Sequence, residues 1–334
     1  MGTSARKRLM DWYARVRRDL PWRSTRDPWL ILLSEVMLQQ TRVATVIPYY
    51  QRFVERFPTP ESMARASEQD VLALWAGLGY YSRARNLRRA AQAVAATGSF
   101  PTTLDGIRAL PGVGEYTAAA VASIVHGAPV AAVDGNVLRV MSRLTAEQGD
   151  VRAVATRQRL GAAARKLMDI KRPGDFNQAV MELGATVCLP KKPQCALCPL
   201  RSACEARKKG IAGELPVKLA RLRVETTELH LLIVEKNRRV LVRQRGEDHK
   251  RLAGFWELPE RRELPDICGI ARIGEFRHGI TCSNFRVQVS RSTVNRTPRG
   301  YVWKSLNELA RLPVTTMSKK AFRLAGLAVT KTNK

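Results

Sequence analysis

From residue 1 to about 186 the apolar positions recur at helical spacing, whereas beyond about 226 they gather into short β-rich runs. Trp29–Gln40, Val43–Phe57 and Asn86–Ala96 carry that spacing with few breakers, which predicts helices. Pro58, Pro60, Gly98 and Pro101 punctuate the loops. Ala206–Arg223 is dominated by Lys and Arg and interrupted by Gly210, Gly213 and Pro216. That composition suits a linker and equally a segment that tracks a polyanion. Glu228–Glu235 and Arg239–Gln244 flank a Lys236-Asn237-Arg238 turn and predict a hairpin. Phe285–Val289 and Gly300–Trp303 predict further strands, and Thr316–Leu327 a closing helix. The pattern therefore predicts a multidomain chain: an all-α domain over 1–205, a basic linker over 206–225 and a smaller α+β domain over 226–334. No repeat at a solenoid period is visible.

Charge sharpens the picture. Lys and Arg total 57 against 29 Asp and Glu, a formal net charge of +28. Such an excess favours a polyanionic partner, because each neutralised phosphate releases counterions. By itself it does not separate DNA from RNA, from an acidic membrane surface, or from a device for solubility. The start, MGTSARKRLMDWYARVRRDL, lacks the apolar core and cleavage site of a secretory leader. The most apolar stretch, Tyr116 to Val133, is broken by His126, Gly127 and Pro129, so no membrane span is expected. These features predict a cytoplasmic protein, nucleoid-associated if bacterial.

Four of the six cysteines crowd together as Cys188-x6-Cys195-x2-Cys198-x5-Cys204. Four thiolates in one loop can enclose an iron–sulfur cluster. A structural zinc is the rival, although zinc ribbons usually offer two separated C-x2-C knuckles. Lys191, Lys192, Arg201, Arg207 and Lys208 flank the cysteines and could meet phosphates. Leu110-Pro111-Gly112-Val113-Gly114-Glu115-Tyr116-Thr117-Ala118 reads as a helix-hairpin-helix, spanning about 104–126, with Gly112 and Gly114 at the tight turn. The plainer reading is a glycine turn between two core helices. Ser34-Glu35-Val36-Met37-Leu38-Gln39-Gln40-Thr41 sets Glu35 in an apolar helix, where burial would raise its pKa. Glu35 could also be an exposed glutamate, and Asp134 could simply cap the helix beginning at Asn136 or Val137. Paired, the two acids suit N-glycosidic cleavage: one protonates the leaving base, the other stabilises or attacks the sugar.

LSEVMLQQTRV, WAGLGYYSRARNL, LPGVGEYTAAAV, VDGNVLRV and the cysteine pattern, in this order, resemble the MutY adenine glycosylases of the endonuclease III superfamily. The match covers most of residues 10–204. The resemblance implies a 4Fe-4S cluster on Cys188, Cys195, Cys198 and Cys204. It also implies Glu35 as general acid toward adenine N7, Asp134 as the carboxylate facing the sugar, and Tyr116 and Asn136 completing the catalytic pocket. Trp22, Arg23 and Gln178 match positions lining the adenine pocket. Gln39, four residues after Glu35, would fill the gap left in the duplex, and Tyr80 would wedge beside the partner base. Read from its own surroundings, Tyr80 could equally be core, since Tyr80-Tyr81 follows Trp75 in an apolar stretch.

The α+β region resembles the Nudix-like domain with which that family inspects 8-oxoguanine, through Ala253-Gly254-Phe255-Trp256-Glu257-Leu258-Pro259. Residues Glu260–Arg272 lack the long acidic box of a Nudix hydrolase, so no nucleotide hydrolysis is expected. His278-Gly279-Ile280-Thr281-Cys282 aligns with the family's recognition loop, with Cys282 where histidine is usual; Ile280 keeps an apolar wedge and Thr281 a hydroxyl. The whole implies a monomeric enzyme that excises adenine opposite 8-oxoguanine or guanine in double-stranded DNA. The alternative is an endonuclease III-like glycosylase/lyase acting on another base. Those relatives carry lysine where this chain has Tyr116, and form a Schiff base through it.

Overall fold

The computed structural model describes residues 3–219, 226–246, 252–264, 267–280 and 283–327. The chain divides into two compact units, one from residues 1–66 and 82–220, the other from 67–81 and 221–334.

The first unit is helical. It comprises α1 (Thr3–Val16), α2 (Pro28–Leu38), α3 (Val43–Arg56), α4 (Pro60–Ala64), α6 (Ser82–Thr97), α7 (Leu104–Arg108), α8 (Glu115–His126), α9 (Gly135–Thr145), α10 (Val154–Leu167), α11 (Pro173–Thr186) and α12 (Glu205–Lys208). Local chemistry accounts for the boundaries that matter to the site. Asp27 caps α2 by accepting from the N–H groups of Trp29 and Leu30, and Pro28 pre-sets its first turn. The sequence PWLILLSEVML is apolar nearly all round, so α2 is buried on most sides. Helix α8 stops where Gly127 turns left-handed at φ 66°. Helices α1, α9, α10 and α11 share a core of Leu9, Met141, Leu144, Phe176, Val180 and Leu183. A Cβ at Gly174 would stand 2.7 Å from Ile124 Cα, so α11 packs backbone-close against α8.

The second unit contains a mixed sheet of β1 (Thr226–Lys236), β2 (Arg239–Gln244), β3 (Trp256–Glu257), β4 (Ile267–Ile280), β5 (Ser283–Val294) and β6 (Val302–Ser305), with α5 (Glu68–Trp75), α13 (Leu306–Ala310) and α14 (Thr316–Leu324). The strand order is β3-β2-β1-β5-β4, with β6 also on β2; β1 and β5 run parallel and the other pairs antiparallel. The predicted hairpin forms, and its turn is the two residues Asn237 and Arg238, both at positive φ, as the twist of paired strands requires. Alternation along β1 sends Leu231 and Ile233 toward Phe322, and Leu232 and Val234 toward Tyr301. The predicted strand at 300–303 begins later, at Val302, because Gly300 is a turn residue at φ 83°. The region read as a recognition loop is a β4–β5 hairpin, apart from Thr281 and Cys282, which lie outside the described residues. Among the described residues no helix is long and apolar enough to cross a membrane.

Candidate active site

A cavity of about 530 Å³ opens in the helical unit and is lined by Trp22, Arg23, Glu35, Gln39, Tyr116, Asp134, Asn136, Gln178 and Glu182, among others. Every residue expected in the catalytic and adenine-binding pocket is therefore brought to one place. Glu35 projects from the apolar helix α2 and is only 6% exposed. Burial drives its pKa up to about 7; a hydrogen bond from Tyr116 pulls the other way, Asp134 adds to the rise, and Arg23 tempers it. The Tyr116 hydroxyl donates to Glu35 Oε2 at 2.7 Å, with Met181 Sδ 3.4 Å away. Burial and the neighbouring carboxylates raise the Tyr116 phenol, so it stays a donor.

Asp134 does cap α9, as its plainer reading held, and it does so from inside the cavity. Oδ1 accepts from Val137 N–H at 2.7 Å and Oδ2 from Asn136 Nδ2 at 2.9 Å. Burial raises its pKa, partly offset by these bonds. Asn136 is held in turn. Arg139 Nη2 donates to its Oδ1 at 2.8 Å and to Gly184 O at 2.7 Å, while Arg139 Nε donates to Cys188 O at 2.8 Å. A Cβ at Gly184 would stand 2.6 Å from Asn136 Cβ, so only glycine leaves Asn136 its place.

The cavity also holds an acid of opposite character. Glu182 accepts from Arg18 Nε at 2.6 Å and Arg23 Nη2 at 2.8 Å, and its side chain is 1% exposed. Burial would raise Glu182, but the two arginines more than offset it and hold its pKa below the ordinary value. Sequence reasoning overlooked Glu182, Arg18 and Arg139. For Glu182 a signal existed: it stands four residues after Gln178 on α11, on the same helical face.

The remaining expected residues are divided between the two units. The hairpin forms between α7 and α8. Gly112 needs to be glycine, with φ 76° and a would-be Cβ 2.4 Å from Asn86 Cβ. Gly114 does not, since its φ is −87° and its Cβ would meet open space. No side chain caps the N-terminus of α8. Gln39 was expected on the helical face of Glu35, but α2 ends at Leu38 and Gln39 is its cap at ψ 112°. Its amide turns inward to Thr117 Oγ1 at 3.2 Å, and the exposed glutamine is Gln40. Tyr80, in the second unit, has φ 47° and is 44% exposed. Ile280 ends β4, and Thr281 lies outside the described residues.

Cys188, Cys195, Cys198 and Cys204 are unpaired thiols that line one small cavity of about 30 Å³ with Arg143, Arg201 and Arg207. Among the described residues no three His, Cys, Asp or Glu side chains stand as a ready ligand group. In chemical type the donor set still suits a thiolate-bound cluster, four cysteines lining one cavity. Arg143 organises the loop: it donates to Leu189 O at 2.7 Å, Pro190 O at 3.0 Å and Leu215 O at 2.9 Å, and its Nη1 lies 3.3 Å from Cys188 Sγ. Burial pushes the Cys198 thiol up to about 12, so only a strong cation there would hold it as thiolate.

A protonatable buried acid and a second carboxylate that caps a helix share one cavity, in a unit that also carries a helix-hairpin-helix, which are features of a base-excision glycosylase. The model of the HhH-GPD superfamily base excision DNA repair proteins matches residues 33–166. The adenine DNA glycosylase of Mus musculus is 34% identical over 96% of this chain and 78% of its own length. That of Homo sapiens is 47% identical over 62% of this chain, but the match spans only 40% of the human protein. A solved thermostable thymine-DNA glycosylase is 30% identical, with a TM-score of 0.56, covering 61% of this chain and 97% of that one. The chain belongs to the adenine DNA glycosylase family.

Proposed function

We propose that the chain hydrolyses the N-glycosidic bond of adenine standing opposite 8-oxoguanine or guanine in double-stranded DNA, as a monomer. The observation that carries this reading is Glu35, buried with the neutral Tyr116 phenol as its hydrogen-bond partner, in the same cavity as Asp134. Adenine is a poor anionic leaving group. A proton delivered by Glu35 to N7 lets the sugar–base bond break with its electron pair leaving on the base. Positive charge then develops on the sugar, where the Asp134 carboxylate stabilises it until water adds. Tyr116 orients Glu35, and Asn136 orients Asp134. Glu182 with Arg18 and Arg23, joined by Trp22 and Gln178, suits recognition of the base edge. Tyr116 offers no amine, which favours hydrolysis over the Schiff-base chemistry of a lyase.

Extruding the adenine costs a few kcal/mol of pairing and stacking. The Gln39–Gln40 turn is suited to fill the vacated space, and the α8 N-terminus behind Gly112 and Gly114 to hold a phosphate; Tyr80 would wedge beside the partner base. Cys188, Cys195, Cys198 and Cys204 would hold a 4Fe-4S cluster, which would staple that loop and present its cations to DNA. The second unit would read 8-oxoguanine as a Nudix-like domain, with Ile280 and Thr281 as the residues that recognise it. Its acids favour that role over hydrolysis, since Glu257 is paired with Arg243 and Arg245, and Glu263 with Arg243.

A duplex carrying adenine opposite 8-oxoguanine tests the reading. Incubation should leave abasic sites that alkali converts to strand breaks, with little breakage before alkali. Intact adenine, or breakage at damaged pyrimidines without alkali, would favour the lyase alternative.

A further inference from the structure

The turn that follows the Glu35 helix is strained, and one side chain braces it. Gln39, at φ −56° and ψ 112°, and Gln40, at φ 56°, are the central residues of a turn closed by Thr41 N–H donating to Leu38 O at 3.2 Å. That is a type II turn, whose second central position favours glycine. A glutamine there is tolerated only when the surroundings over-determine it. The brace is Arg83 of α6, 8% exposed. One terminal nitrogen lies 2.7 Å from Val36 O, 2.9 Å from Met37 O and 2.7 Å from Gln39 O, and the other 3.2 Å from Thr41 Oγ1. Two of these carbonyls belong to the last turn of α2, whose partial negative charge favours a cation. The brace leaves the two glutamines facing apart. Gln39 is tied inward to Thr117, and Gln40 stands exposed at the tip.

We propose that Arg83 is a positioning residue for base extrusion: it holds the Leu38–Thr41 turn in the conformation that presents Gln40 to the duplex. The proposal rests on the glycosylase reading above. Lysine would not substitute, because a point-like ammonium cannot serve the Thr41 hydroxyl and three carbonyls as the planar guanidinium does.

The test uses the full chain and two duplexes. One has adenine opposite 8-oxoguanine; the other has adenine opposite an abasic-site analogue, where extrusion breaks no base pair. Arg83→Lys should slow single-turnover excision from the paired duplex by about 10- to 100-fold, the effect of losing charge-assisted hydrogen bonds. From the unpaired duplex the loss should stay within about threefold, at an unchanged active fraction. The fluorescence rise of 2-aminopurine placed beside the target adenine, a direct sign of extrusion, should shrink in step. Thr41→Val keeps the side-chain shape, removes one acceptor of Arg83, and should give the same pattern at about 3- to 10-fold. The double variant should lose no more than Arg83→Lys alone, within about twofold, because both act on one brace. Equal losses on the two duplexes, additive losses, or unchanged fluorescence would overturn the proposal. Wild-type protein that removes adenine from neither duplex would sink the glycosylase reading and the proposal with it, and that control tells the two failures apart.

Discussion

Glu35 and Glu182 line one cavity, both are buried, and they are driven in opposite directions. Around Glu35 the hydrogen-bonding partner is a phenol, and burial lifts its pKa to about 7. Around Glu182 the partners are two guanidiniums, and its pKa falls although burial pushes it upward. Burial decides at Glu35, where no cation is bonded to the carboxyl, and the charge of the partners decides at Glu182. One region of the cavity is thus equipped to give a proton away, the other to hold a fixed anion between two cations. In the second unit Glu257 also pairs with two arginines, Arg243 and Arg245, and Glu263 with Arg243.

The contrast breaks most visibly at Glu35. Glu35→Gln keeps size and hydrogen bonding but has no proton to give, so excision should fall by about 10²–10⁴-fold. Duplex affinity should persist, because phosphate contacts dominate it. Single-turnover rates and binding curves on one preparation check this; a variant within a few-fold of wild type would place the acid elsewhere.

Stability separates the two glutamates by sign. Glu35 rises from 4.5 to about 7 on folding, so between those values the folded state holds the proton that the unfolded chain has lost, and stability falls as pH rises. Near pH 8, Glu35→Gln escapes that penalty and should be more stable than wild type by up to about 3 kcal/mol. Glu182 is lowered on folding, so its contribution is present above its unfolded pKa and fades as pH falls through the folded value. Glu182→Gln should therefore lose stability at neutral pH, by about 1–3 kcal/mol because Arg18 keeps solvent access. Chemical denaturation near pH 5 and pH 8 measures both, and shifts of the same sign would dissolve the contrast.

A smaller effect is expected behind Asn136. Gly184→Ala would force a Cβ to within 2.6 Å of Asn136 Cβ, and the hydrogen bond to Asp134 should loosen. About a tenfold loss of excision, with duplex affinity unchanged, is the expected size for weakening one hydrogen bond to a carboxylate. Wild-type rates in that variant would show that Asn136 does not tune Asp134.

What could be read from the chain beforehand was what local rules decide. The existence of the helices, the β1–β2 hairpin, the Asp134 cap and the closing helix all follow from residues within a turn of one another, although the hairpin turn is two residues rather than the three expected. Long-range partners left no such mark. Arg83 reaches back 44 residues to Gln39, and Arg18 lies 164 residues from Glu182. The parallel pairing of β1 with β5 is equally non-local. Strand β4 went unread because Gly269, Gly274 and several charges interrupt its apolar pattern, while β5 supplies the pairing that makes it a strand. Helical periodicity carried the expected Trp29–Gln40 helix two residues too far, since α2 ends at Leu38, yet Gln39 still lines the cavity with Glu35.

The central claim, that Glu35 gives the proton, is tested most directly by the pH dependence of single-turnover excision in wild type and Tyr116→Phe. The wild-type rate should fall above about pH 7, approaching tenfold per unit as Glu35 loses its proton. Tyr116→Phe removes the hydrogen bond that lowers Glu35, so its falling limb should move to higher pH. A wild-type rate that stays flat from about pH 6 to pH 9, or a limb that Tyr116→Phe leaves in place, would contradict the account.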